Sequence, residues 1–193
     1  MRTSTILVTP AALEPVTVQE AMGHCRVSDT ADEDYIASLI QAVRTQVEML
    51  TGRALAAETR KLLCADWPET TYSIDLDRSP ASSITTIDYL PDGYGAAVTV
   101  DASNYFLAEG EPSRVIFKDS YSFPALAIRP DAVRVTYSTT PSTIPHGLRQ
   151  AMLLQIAHLY DVRASVNIGN IVTEVPHAFR ALLEMHRIGG FVA

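Results

Sequence analysis

The chain has 193 residues, 47% hydrophobic and 19% charged, which suits one domain or two small ones and excludes a disordered or low-complexity chain. There are 22 acidic side chains against 15 basic ones, a net charge of −7, so the phosphate-neutralising excess of a general nucleic-acid binder is missing. Cys25 and Cys64 show no CxxC spacing and read as reduced thiols.

Near the start, Ile6-Leu7-Val8 is an apolar run far too short for a secretory segment, and no stretch approaches the roughly 20 apolar residues of a membrane helix. The protein is therefore expected to stay inside the cell that makes it, with no membrane partner. Thr17-Val18-Gln19-Glu20 is a capping box that predicts a short helix ending near Cys25. A second box, Thr30-Ala31-Asp32-Glu33, predicts a longer helix whose first turn carries Asp32, Glu33 and Asp34, the charge a helix N-terminus favours. Along it Ile36, Leu39, Ile40, Val43, Val47 and Leu50 draw one apolar stripe as far as Gly52, a suitable left-handed cap.

From about Thr59 the period changes to two. Strands are predicted at Lys61 to Asp66, Tyr72 to Asp77, Ile84 to Leu90, Ala96 to Val100, Asn104 to Ala108, Arg114 to Lys118 and Ala132 to Tyr137, with Pro91 to Gly95 as a hairpin loop. In the second of these, Asp75 and Asp77 alternate with apolar residues and are expected to point away from the core. Pro141 and Pro145 close the region, and Leu148, Met152, Ile156, Leu159 and Tyr160 predict a helix with a wide buried face. A last helix is expected from Pro176 through Phe179, Leu182, Leu183 and Met185, ended by Gly189-Gly190. The fold class is thus α+β: residues 1–58 and 142–193 form a discontinuous helical bundle, and 59–141 form an inserted, mostly antiparallel β domain of six to seven strands. The acidity belongs to the middle, where residues 62–141 carry 11 acidic and 5 basic side chains.

Reactive chemistry finds little support. Asp75 with Asp77 reads as a pair of water-facing charges rather than an acid–base pair. His158 and Asp161 share a helix face at a spacing of three, yet no HExxH or second cluster supplies further ligands, so no metal is expected. No GxSxG elbow, GxGxxG or GxxxxGK[ST] occurs, so no catalytic residue and no cofactor is assigned. His177 and His186 read as ordinary helical residues, and Trp67 as a core anchor.

Five pieces together resemble a known family. They are Pro15 to Ala21 continuing to Arg26-Val27; Asp32-Glu33-Asp34 before the long helix; Thr51-Gly52-Arg53-Ala54-Leu55 at its end; Ile144-Pro145 leading into Leu148 to Tyr160; and Val175-Pro176 leading into Phe179 to Leu183. The pattern, over about residues 15–187, is similar to the phage head–tail connector or adaptor proteins of the gp6-like and gp8-like group, found in long-tailed phages, prophages and gene transfer agents. The resemblance implies a non-enzymatic ring at the head–tail junction of a virion or phage-like particle, made in the bacterial cytoplasm. It implies a dodecamer of this chain docked beneath a portal protein and bearing a stopper or tail-terminator protein, with DNA passing through the lumen unbound.

On that analogy portal or subunit contacts are expected at Met185, Arg187, Ile188, Gly189, Gly190, Phe191 and Val192. Asp75, Asp77 and Asp88 are candidate lumen- or partner-facing acids, since carboxylates there would repel the phosphate backbone and let the duplex slide. Two other readings stay open: a different tail or baseplate assembly module, and a small hydrolase with an unrecognised site.

Overall fold

The computed structural model describes residues 3–69, 71–141, 143–162 and 177–189. In chain order they form β1 (Thr3–Thr9), α1 (Val18–Cys25), α2 (Glu33–Thr51), β2 (Glu58–Cys64), β3 (Ser73–Asp75), β4 (Ala81–Tyr89), β5 (Val98–Thr99), β6 (Tyr105–Ala108), β7 (Arg114–Phe117), β8 (Val133–Thr139), α3 (His146–Asp161) and α4 (His177–Glu184). The chain divides into two units, Met1–Ala12 with Ala56–Pro141 and Leu13–Leu55 with Ser142–Ala193. Strands make up the first and helices the second, an α+β fold.

In the helical unit, α1 starts where the capping box predicts: the Glu20 amide donates to the Thr17 hydroxyl at 3.1 Å. The Glu20 carboxylate also takes a bidentate grip from Arg149 of α3, with Nε to Oε1 at 2.7 Å. That guanidinium, helped by the Thr17 amide, holds the Glu20 carboxyl below its ordinary 4.5. A carboxyl whose folded pKa is depressed stabilises the fold above 4.5, and the contribution drains away as pH falls through the folded value. Both side chains are partly exposed, so the effect is small, about 0.5 kcal/mol after solvent screening. The Arg149→Gln variant should show a flatter loss of stability below pH 4.5 than the parent, measured by urea unfolding at stepped pH.

Ahead of α2, Asp29 rather than Thr30 is the cap: its carboxylate accepts the Ala31 amide at 2.9 Å, and a single 3-10 turn, Thr30–Asp32, precedes the helix. The chain leaves α2 through Gly52, whose φ of 72° is the left-handed conformation that favours glycine. Ile36, Ile40, Val43 and Val47 are buried against Leu148, Met152 and Ile156 of α3 and Phe179 and Leu183 of α4. Leu50 departs from the expected stripe. After Val47 the inward position falls to Thr51, and Leu50 is left 50% exposed beside Met49 at 69%.

In the strand unit every described pairing is antiparallel: one sheet has the order β1-β2-β8-β4-β5, the other β3-β7-β6. The middle strand, β8, buries Val133, Val135 and Tyr137 on alternate positions, as period-two patterning requires. Between the sheets' apolar residues lies an aromatic cluster: Trp67, Tyr121 and Phe123 surround Phe117, with ring centroids 5.2 to 5.6 Å from it. Trp67 is a core anchor, its Nε1–H donating to the Pro124 carbonyl at 2.9 Å. The Pro91 to Gly95 segment does join antiparallel neighbours, β4 and β5.

Two expectations need correction. The first residues do not belong with the helices: Thr3–Thr9 is a strand paired along β2, and residues 1–12 fall in the strand unit, so the boundary at 58/59 gives way to breaks after Ala12 and Leu55. The central region itself holds seven strands, β2 to β8, within the expected six to seven, and β1 is the added one. The last helix ends at Glu184, short of Met185, and residues 185–189 turn back toward α2.

Candidate docking site at the end of the helical unit

The Thr51-Gly52-Arg53 stretch organises one end of the helical unit. The Thr51 hydroxyl donates to the Val47 carbonyl at 2.7 Å and accepts the Arg53 amide at 3.3 Å, which folds the chain sharply across the helix end. Two bonds then fasten the returning C-terminal segment. The Ile188 amide donates to the Thr51 carbonyl at 2.8 Å, and Arg53 Nε donates to the His186 carbonyl at 2.6 Å. Gly52 lies 3.6 Å from Ile188 Cβ, measured from where a side chain would begin, and Gly147 at the start of α3 leaves room for the His186 imidazole, which an added Cβ would approach to 2.6 Å. Thus α4 and the turn after it are seated on α2 and α3 by backbone bonds and by two side-chain-free positions.

Beneath the seat is a buried charge cluster. Glu48, 1% exposed, accepts Arg44 Nη1 at 3.2 Å and the Leu55 amide at 2.8 Å, while Arg44 Nε donates to Glu14 at 2.7 Å. One carboxylate therefore holds the helix and the strand-bound exit of the chain together, and the second keeps Arg44 neutralised.

Between α2 and α4 runs a groove of about 520 Å³. Phe179 and Leu183 form its floor; Gln46, Met49 and Leu50 make one wall, and Arg180, Glu184 and Arg187 the other. Neither Arg180 nor Arg187 is in an ion pair among the described residues. The groove thus presents the apolar side chains of Met49, Leu50, Phe179 and Leu183 between Gln46 and a rim of two guanidinium groups and the Glu184 carboxylate.

The expected contact residues fall partly here. Arg187 lines the groove, Met185 is 75% exposed, Ile188 is half-buried against the end of α2, and Gly189 is exposed with φ of 109°. Gly190, Phe191 and Val192 lie outside the described residues. Sequence reasoning missed Met49, Leu50 and Arg180. The available signal was the order Glu48-Met49-Leu50-Thr51, in which the stripe turns two polar residues inward and two apolar ones outward.

The three candidate acids do not form a set. Asp75 is exposed and paired with Arg114 at 2.7 Å, opposite it across the β3–β7 ladder. Asp77 does not face water beside Asp75: it lies past the end of β3, accepts the hydroxyl of buried Tyr137 and pairs with Arg78 at 3.4 Å. Burial and that carboxylate push the Tyr137 phenol well up, so it stays a donor. Asp88 accepts the hydroxyls of Thr86 at 3.1 Å and Thr99 at 2.6 Å, tying β4 to β5.

Reactive groups remain scattered. His158 and Asp161 both lie on α3, and among the described residues no group of three or more His, Cys, Asp or Glu could hold a metal ion. Burial pushes the Cys64 thiol up to about 12, which makes it a poor nucleophile at neutral pH. Among the described residues no helix is long and apolar enough to cross a membrane.

No protein-family model matches the chain, and no curated protein matches it in sequence. Solved structures do match its fold. A chain from the neck of an empty gene transfer agent particle, computed with C6 symmetry, superposes at a TM-score of 0.72 with 20% identity, covering 100% of this chain and 98% of that one. A chain from the virion of a native gene transfer agent particle gives 0.72 and 21% at the same coverage, and one from the neck of a native particle computed with C12 symmetry gives 0.68 and 19%, again at the same coverage. Helices and strands alike, the whole chain therefore has the fold of a gene transfer agent neck component.

Proposed function

We propose that this protein is a structural head-to-tail adaptor of a tailed phage or phage-like particle, located at the head–tail junction. It forms a ring of twelve copies beneath the portal protein, and a stopper or tail-terminator protein docks on its far side. The observation that carries this reading is the full-length fold similarity to chains of gene transfer agent necks computed with C6 and C12 symmetry. An assembly role also suits the open groove at the end of the helical unit, with exposed Met49 and Leu50 in its wall.

The net charge of −7 fits a conduit through which DNA slides without adhering. Of the acids singled out from sequence, Asp75 and Asp88 remain suited to a lumen or a partner-facing rim, whereas Asp77 is occupied by Tyr137 and Arg78. Portal or subunit contacts fall at Met185, Arg187, Ile188 and Gly189, on the groove end of the helical unit.

Electron cryomicroscopy of particles made with and without this chain tests the proposal. A ring of density between portal and tail that disappears with the gene, leaving filled or empty heads without tails, is the expected result. Particles that join head to tail normally in its absence would refute the assignment.

A further inference from the structure

The helical unit has two ends of opposite chemistry. At one end is the groove, with Met49 and Leu50 exposing apolar surface and Arg180 and Arg187 unpaired beside them. At the other end the start of α2 meets the end of α3. Tyr160 donates its hydroxyl to Asp32 at 2.5 Å, and its ring lies 6.2 Å from that of Tyr35. Three exposed carboxylates stand at this end, Glu33 and Asp34 at the start of α2 and Asp161 at the end of α3, and Val162, next after Asp161, is 37% exposed. Cys25, the last residue of α1, feels the charge of Asp161, so the end of α1 also reaches this side.

The spacing rules out self-docking. A helix rises about 1.5 Å per residue, so Asp34 and Leu50 are about 24 Å apart along α2. No chain can lay its own acidic end in its own groove, but a second copy can.

We propose that the acidic end of one subunit, with Val162 beside Asp161, docks into the arginine-rimmed groove of the next. This deepens the ring reading above and rests on it. Glu33, Asp34 and Asp161 face Arg180 and Arg187, and Val162 covers Met49 and Leu50. A two-fold pair that sets acidic end against acidic end, or arginine rim against arginine rim, is disfavoured because it brings like charges together. Since the two surfaces differ, a pair joined by one such contact still offers one free groove and one free acidic end. Such a contact repeats in one direction and closes into a ring when the rotation allows.

Charge exchange tests the contact in assembled particles. R180E/R187E and, separately, E33K/D34K should each lower the yield of ring-bearing particles about tenfold; the first leaves thermal melting of the purified chain unchanged, and the second lowers it slightly because lysines oppose the dipole at the start of α2. The four-substitution chain should recover to within about threefold of the parent. Full yield from either double variant, or no recovery in the combination, overturns the proposal.

A second measurement does not depend on altered charge. Cysteines placed at Leu50→Cys and Ala31→Cys in a Cys25→Ser background, which removes the partly exposed native thiol near Asp161, are treated with a short bis-maleimide in intact particles and should give a ladder of covalent oligomers only when both are present in one chain. The Cys25→Ser chain with Cys64 alone serves as the blank. Dimers from Leu50→Cys alone, or cross-links from it to a different protein, overturn the proposal. Particles that lack this chain entirely would instead overturn the ring reading, so the two failures are distinguishable.

Discussion

Replacing Glu48 with alanine should destabilise the protein by about 3 kcal/mol, measured by urea unfolding of the purified chain. The carboxylate is 1% exposed, so the change leaves a buried amide at Leu55 without its acceptor and removes one of the two carboxylates that neutralise Arg44. Glu14 still reaches Arg44, which keeps the loss from being larger. Glu48→Gln retains an acceptor for Leu55 while removing the charge, and should cost less than the alanine change. Equal losses for the two would show that the ion pair, and not the bond to Leu55, holds the end of α2.

A loss of about 3–5 kcal/mol is expected for Phe117→Ala in the strand unit. Phe117 is 1% exposed and sits among Trp67, Tyr105, Tyr121 and Phe123, so its removal leaves a void that rigid rings cannot collapse into. Hydrogen exchange should report the loss at amides of β6 and β7, which flank the void. Tryptophan fluorescence gives a second readout, because Trp67 packs edge-on against that ring and is the sole tryptophan of the chain. Unchanged fluorescence together with unchanged stability would show that the cluster does not anchor the sheets.

How far the sequence reveals this molecule depends on whether local pattern and tertiary burial agree. They agree along most of α2, where Ile36, Ile40, Val43 and Val47 carry one stripe and Gly52 ends it. They agree again in β8, where inward and outward residues alternate. They part at Thr3–Thr9, whose signal is the β-branched content of Thr3, Thr5, Ile6, Val8 and Thr9 rather than an alternation of polar and apolar residues. An edge strand exposed on most of its surface has no buried face to impress a period on the sequence.

The site was half legible for a similar reason. Arg187 and Ile188 stand near the end of a helical pattern and attract notice, whereas Met49 and Leu50 look like core until Glu48 and Thr51 are seen to take the inward positions. Asp77 was misread because alternation was carried two residues past the end of β3, where the chain has already turned inward to meet Tyr137.

The outermost strand has a practical consequence. Ile6, Leu7 and Val8 are each about half exposed, and β1 carries neither a charge nor a proline to discourage edge-to-edge growth. At high concentration such a bare margin is a template for pairing with a second copy, and slow aggregation of the purified protein is the expected result. Leu7→Lys should slow it, read as light scattering of the concentrated protein over time.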